Sequence, residues 1–269
     1  GSVAASPAGR FVYVTNLFSR DSSAYAADAT TGVLSALAGS PFAAERTKFE
    51  GPKAVHPVTG AELSFPVSSF EVRFTPTAVI VAPSGRFGYV TGSAIVPPVP
   101  GALSVLVQPG APVTRSSAPP GAQVSAPAAL TPLSSVTAYV IDESTGALMR
   151  VSGSPWPAGR RPSGMTIDPS GRYAYVVNVE SDDVSAYAID PVTGALAPVA
   201  GSPFPAGTRP ASVAVDPSGR FLYVANSGSN NISAYAIDTT TGALRQLARS
   251  PFKAGSEPIS IAATGTTVR

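Results

Sequence analysis

Apolar and polar positions alternate in short runs along most of this chain, and a two-residue period over such runs predicts half-buried β-strands rather than helices. Ala211 to Val215 alternates small and apolar residues, Phe221 to Ala225 is aromatic and β-branched, and Ile232 to Ile237 alternates again. Asp216-Pro217-Ser218-Gly219 separates the first two runs, and Asp first, Pro second and Gly fourth spell a type I turn. Polar clusters at Asn226 to Asn231 and Asp238 to Gly242 separate the next runs, with Gly242 free to take positive φ. Ala243 to Ala248 supplies a fourth strand, and Ser250-Pro251-Phe252 leads out of the unit.

This unit is written more than once. Arg161 to Asn178 returns as Arg209 to Asn226 at an offset of 48 residues, and Gly146, Gly194 and Gly242 keep that step. Four short strands in such a period describe a propeller blade, a unit that cannot bury its apolar face alone. The expected fold is all-β: a β-propeller of four-stranded antiparallel blades, about five of them, incomplete or closed by a partner chain. Residues 1–269 form one propeller domain in this reading, with blades at 3–42, 76–155, 162–205 and 210–253 and a terminal strand at 258–265. A degenerate half-blade at 49–72 rests on His56 to Ala61, which echoes Asp190 to Ala195. The Pro-, Ala- and Ser-rich insertion at 93–132 reads as a long extended loop, with strands at Ala102–Gln108 and Gln123–Ala129 as the alternative. An unclosed ring leaves strand edges open to another chain, so self-association is expected.

Composition narrows the functional classes. The chain is 44% hydrophobic and 13% charged with a net charge of +2, and its cations form no stripe, so nucleic acid is not an expected partner. The absence of cysteine removes disulfides and thiolate metal sites. His56 is the sole histidine, which rules out a multi-histidine metal site and marks it as a surface turn residue. No metal or cofactor is expected. No apolar run is long enough to span a bilayer, and much Gly, Pro, Ser and Thr with little charge fits an exported protein, extracellular, on the cell surface or periplasmic.

In a repeat protein, positions shared by every unit mostly serve packing, and function is better sought where units differ. Arg10, Arg86, Arg172 and Arg220 read as braces between blades, Tyr25, Tyr139, Tyr187 and Tyr235 as core, and Asp168 and Asp216 as turn caps. The residue before each blade-leading proline does vary: Thr75, Arg161, Arg209 and Glu257. Inner strands of a propeller start beside the central channel, so these four are candidates for a channel-mouth site that takes a small anionic or carbohydrate ligand. Salt bridging between blades is the competing role. Glu180, Asp182 and Asp183 form the one tight acidic group and are candidates for an oxygen-rich cation turn, without the spacing of a calcium loop.

Tyr13-Val14-Thr15-Asn16 and the blade motif Asp216 to Asn226 resemble the YVTN β-propeller repeat proteins, and through them the seven-bladed propeller lactonases. The resemblance covers residues 3–42, 76–92 and 135–265. It implies a propeller. The lactonases of this family carry a Pro-Arg-His stretch at the blade start and end the second strand in Asn-Glu. Here Pro76, Pro162, Pro210 and Pro258 are followed by Thr77, Ser163, Ala211 and Ile259, and Asn16, Asn178 and Asn226 by Leu17, Val179 and Ser227. Two functional expectations result. One is a non-catalytic exported propeller acting as a binding, scaffold or self-assembly module, partnered by other copies of itself or by another protein. The other is a lactonase-like hydrolase of a sugar lactone with its site at the central channel. DNA binding of the kind proposed for some YVTN relatives suits the low charge poorly.

Overall fold

The computed structural model describes residues 2–16, 18–43, 46–49, 54–55, 62–63, 70–95, 123–124 and 134–264, and these hold strands and turns with no helix. None of the described residues therefore forms a helix long and apolar enough to cross a membrane. The chain divides into two compact units, one of residues 1–45, 74–94 and 132–269, the other of 46–73 and 95–131.

The first unit holds four antiparallel blades, each with an inner, second, third and outer strand hydrogen-bonded in that order and a two-residue fifth strand paired to the third. Blade 1 is Val3–Ala5, Phe11–Asn16, Asp21–Ala27, Leu34–Ala36 and Phe42–Ala43. Blade 2 takes its inner strand from Phe70–Val81, followed by Phe87–Ile95, Ser134–Ile141, Leu148–Arg150 and Trp156–Pro157. Blade 3 is Pro162–Ile167, Tyr173–Asn178, Asp183–Ile189, Leu196–Pro198 and Phe204–Pro205, and blade 4 repeats it from Pro210–Val215 through Phe221–Asn226, Asn231–Ile237, Leu244–Gln246 and Phe252–Lys253. The period-two strands are the ones anticipated, and the described residues carry four such blades against the expected five.

Local chemistry fixes each turn. Between inner and second strands of blade 3, Asp168 Oδ1 accepts the N–H groups of Arg172 and Tyr173 at 2.8 and 2.7 Å, while Gly171 sits at φ 73°. Between third and outer strands, Asp190 Oδ1 accepts from Val192 and Thr193 at 2.9 and 2.8 Å, and these bonds hold its carboxyl below the usual range. The Ser-Pro exits have a further role. Ser40, Ser154, Ser202 and Ser250 each offer Oγ to the N–H of Ala24, Ala138, Ala186 or Ala234 at 2.9 Å, satisfying third-strand donors that the sheet leaves open.

Blades stack in sequence order through one repeated device. The second-strand tyrosine donates to the glycine carbonyl of the following blade's outer turn: Tyr13 to Gly146 at 3.1 Å, Tyr89 to Gly194 at 3.2 Å and Tyr175 to Gly242 at 3.0 Å. Burial pushes the Tyr13 hydroxyl up to about 12 and raises those of Tyr89 and Tyr175 as well. The aromatic two residues earlier, Phe11, Phe87 or Tyr173, lies against that same glycine, and a Cβ there would come within 2.6, 2.5 or 2.3 Å of the ring. The recurring arginines lie over these rings at 5.2 to 5.7 Å, and Arg86 and Arg172 reach the next blade's carbonyls at Pro191 and Thr239. They are braces, as anticipated. Of the repeating third-strand tyrosines, Tyr187 and Tyr235 are buried and donate to Pro157 and Pro205 of the preceding blade. Tyr25 and Tyr139 are half-buried, since blade 1 follows no other blade and Tyr139 borders a cavity.

Pro258 to Ala263 occupies the place of a further inner strand without being one: it has no ladder partner, and Ile261 N–H donates to Ser212 Oγ at 3.2 Å. The expected terminal strand is thus a single extended segment, because no second strand follows to pair with it. In the second unit, Arg46–Phe49 pairs with Phe70–Arg73, and Ala54–Val55 pairs with Glu62–Leu63 and with Gln123–Val124. His56, Ala102–Gln108 and most of 49–72 and 93–132, on which the half-blade and the insertion rest, lie outside the described residues.

Candidate functional site

The link from one blade to the next meets the turn between second and third strands, and there the backbone of three candidate residues is held in the left-handed region. Arg161, Arg209 and Glu257 have φ of 54°, 53° and 48°. For residues with a Cβ this conformation costs about 1–2 kcal/mol, so the surroundings must enforce it. They do. The N–H of Arg209 donates to Asp182 Oδ1 at 2.7 Å, that of Glu257 to Asn230 Oδ1 at 2.7 Å, and that of Arg161 to Ser134 Oγ at 3.3 Å. From the other side, the carbonyls of Arg161 and Arg209 accept Val179 N–H and Ser227 N–H, each at 3.0 Å. The clamped backbones leave all three side chains exposed at the same end of successive blades.

Thr75 does not share this geometry. It lies within the strand Phe70–Val81, and its hydroxyl is buried with no hydrogen-bond partner among the described residues. Arg20 stands at the turn position that Asp182 and Asn230 fill in later blades, and a guanidinium has no acceptor to offer the following link.

Beneath the clamp lies an amide that sequence reading treated only as lacking a glutamate neighbour. Asn178 Nδ2 donates to Asp183 Oδ1 at 2.6 Å and Ser185 Oγ at 2.9 Å, and Asn226 does the same to Asn231 and Ser233 at 2.8 and 2.9 Å. Gly159 and Gly207 pack flat on these amides, where a Cβ would come within 2.5 and 2.6 Å of neighbouring side-chain atoms. The signal available in sequence was the paired recurrence of Asn at the strand end and Gly before the next proline.

The acidic group is already engaged. Asp182 serves Arg209, and Asp183, its carboxyl raised by burial against the lowering bond from Asn178, serves that amide. Glu180 Oε1 lies 3.6 Å from Arg161 Nη1, an exposed pair worth at most about 1 kcal/mol. Among the described residues no group of three such ligands could hold a metal ion. A cavity of about 40 Å³ lies elsewhere, between blades 1 and 2, lined by Phe42, Phe74, Thr91, Ser135 and Tyr139 among others. It has room for a water molecule or two, whereas small-molecule sites enclose roughly 300 Å³ or more. The surface able to meet a ligand is therefore the open blade end bearing two guanidinium groups and one carboxylate.

A family model described as lactonase, 7-bladed β-propeller matches residues 132–208 and 202–262. No curated protein matches the sequence. Among solved structures, a Bacteroides uniformis protein carrying the provisional name 6-phosphogluconolactonase aligns over 96% of this chain and 55% of its own at 17% identity, with a TM-score of 0.62. A Lactobacillus plantarum protein aligns over 96% and 72% at 16% identity with a TM-score of 0.51. A chain of a nidogen–laminin complex aligns over 98% and 68% at 10% identity, also with a TM-score of 0.51. At such identities the likeness is one of fold, and the chain spans about half the length of the Bacteroides protein. Four consecutive antiparallel blades, the shared repeat and the family match over residues 132–262 make this chain a lactonase-like β-propeller repeat protein.

Proposed function

We propose that the chain acts on a sugar lactone bearing a phosphate or carboxylate, at the blade end that carries Arg161, Arg209 and Glu257. The observation that carries this reading is the lactonase family match across the very blades and link that present these residues. The name borne by the Bacteroides structure points to the same substrate class. The chemistry is available. Guanidinium groups bind phosphate or carboxylate through paired charge-assisted hydrogen bonds and stabilise the oxyanion that forms when water adds to a lactone carbonyl. Glu257 takes the proton of that water, the ring C–O bond breaks, and the departing alkoxide recovers a proton, giving the open-chain hydroxy acid. The Pro-Arg-His and Asn-Glu signatures of the family's lactonases are absent, so this set differs from theirs.

Acid release from lactones and phosphorylated lactones tests the reading. Wild type should turn over at least one of them. Arg209→Gln, which keeps the left-handed backbone and loses the charge, should raise KM about tenfold or more. Glu257→Gln should lower kcat about a hundredfold. No turnover of any lactone overturns the proposal. The exported binding module stands as the second reading: low charge with abundant Gly, Pro, Ser and Thr supports a place outside the cell, and uncovered blade faces support association.

A further inference from the structure

The two end blades of the first unit carry the two halves of the device that joins blades 1, 2, 3 and 4, and both halves are unfilled. At each internal junction a donor face offers a turn proline, the stacked Arg-aromatic pair and the second-strand tyrosine. Blade 4 presents the same set as Pro217, Arg220, Phe221 and Tyr223, with Phe221 and Tyr223 only half-buried where their counterparts are buried. The acceptor face offers a turn glycine, an outer-turn glycine and the leucine after it. A Cβ on Gly85, Gly171 or Gly219 would lie 3.5 to 3.8 Å from the preceding blade's turn proline, while one on Gly9 of blade 1 would meet nothing within 4 Å. Likewise Gly146, Gly194 and Gly242 are pressed by an aromatic ring, and Gly32 of blade 1 is not. Leu196 and Leu244 are 4% and 8% exposed under the preceding blade; Leu34 is 49% exposed, beside Val33 at 61%.

The segment after blade 4 completes the match. Ile261-Ala262-Ala263 stands where an inner strand would start a further blade, and it spells almost the same strand as Val3-Ala4-Ala5 of blade 1. Val3–Ala5 is a three-residue edge strand, paired only through Val3↔Val14, Ala4↔Tyr13 and Ala5↔Val12, with Val3 67% exposed. We propose that a second copy of this chain seats its blade 1 on blade 4, with Pro258–Ala263 of the first copy taking the place of Val3–Ala5 in the second. Tyr223 then donates to the Gly32 carbonyl of the second copy, and Arg220 reaches its outer turn. The face is apolar, its hydrogen bonds are complementary, and the geometry is that of three junctions already present in the chain. The contact is heterologous, so it closes into a ring or propagates as a chain of copies according to the rotation between them.

Sedimentation equilibrium and light scattering against concentration decide the matter. Wild type should grow from the 27.1 kDa monomer to multiples of it as concentration rises. Leu34→Glu, on the acceptor face, and Tyr223→Glu, on the donor face, should each weaken association at least about tenfold while keeping the strand-rich circular dichroism and melting of wild type. Each variant retains one intact face, and Leu34→Glu offers its donor face to the acceptor face of Tyr223→Glu. Mixed in equal amounts, the two should therefore form a one-to-one dimer that grows no further. Ile261→Pro should weaken association as well, since it removes the N–H the inserted strand needs. A wild type that stays monomeric at every concentration, variants that associate like wild type, or a mixture that remains monomeric each overturns the proposal. An Ile261→Pro chain that associates undiminished overturns the strand exchange.

Discussion

The serine of each Ser-Pro exit shows how much a single side chain carries in this repeat. Ser202 Oγ is the partner of the Ala186 N–H, and Ala186 is fully buried. Ser202→Ala should cost about 1–3 kcal/mol, the penalty for stranding a buried donor, read as a lower denaturant midpoint with an unchanged slope. The turn aspartates were legible in sequence because their acceptors and donors lie within five residues of each other. The serine caps were not, since each spans sixteen positions. The same holds for the candidate site. A residue before proline is biased toward extended backbone, so nothing local announced that Arg209 and Glu257 would turn left-handed. That outcome depends on Asp182 and Asn230, twenty-seven residues upstream.

At the scale of strands and turns, a glycine such as Gly194 is used twice. Its φ of 75° shapes the outer hairpin, and its missing Cβ admits the Phe87 ring, which would otherwise stand 2.5 Å away. Gly32 has nearly the same φ and nothing within 4 Å. Alanine at either position bears the backbone strain, and alanine at Gly194 also forces the ring out of a packed junction. Gly194→Ala should therefore destabilise the monomer by about 1–3 kcal/mol more than Gly32→Ala, a difference that parallel denaturation at low protein concentration will measure. Blades 3 and 4 could be drawn strand by strand from the sequence, because their alternation and turn chemistry agree. The inner strand of blade 2 could not. The proline rule starts it at Pro76, yet the strand begins at Phe70, because its first residues pair with Arg46–Phe49. Residues 93–132 carry neither alternation nor repeated turns, so no register could be read from them.

For the first unit as a whole, the shared blade device ties stability to pH at both extremes. Each buried junction tyrosine must stay neutral in the folded state, and burial lifts Tyr13 and Tyr187 to about 12 and raises Tyr89, Tyr175, Tyr139 and Tyr235 above the ordinary value. The unfolded chain ionises near pH ~10. Stability from these groups is therefore complete below that pH and declines as pH rises toward the folded values, because only the unfolded form can shed its protons there. The outer-turn aspartates work in the opposite sense. Asp142 is held at about 2 by its bonds from Ser144 and Thr145, and Asp28, Asp190 and Asp238 are lowered by their own turn bonds. Their contribution is full above the unfolded value of about 4 and fades as pH falls toward the folded ones. The tyrosines are enclosed between blades while these aspartates are exposed on turns, so the alkaline limb should be the steeper. Denaturation midpoints followed from pH ~2 to ~12 should form a plateau with a shallow acid shoulder and a sharp alkaline fall, with tyrosinate absorbance rising together with the loss of β-sheet signal. Tyr89→Phe gives the decisive comparison. It removes one raised hydroxyl and its bond to Gly194, so it should lower stability at neutral pH and flatten the alkaline fall, whereas a tyrosinate signal that rises well before the sheet is lost would show that the junctions do not hold these groups neutral.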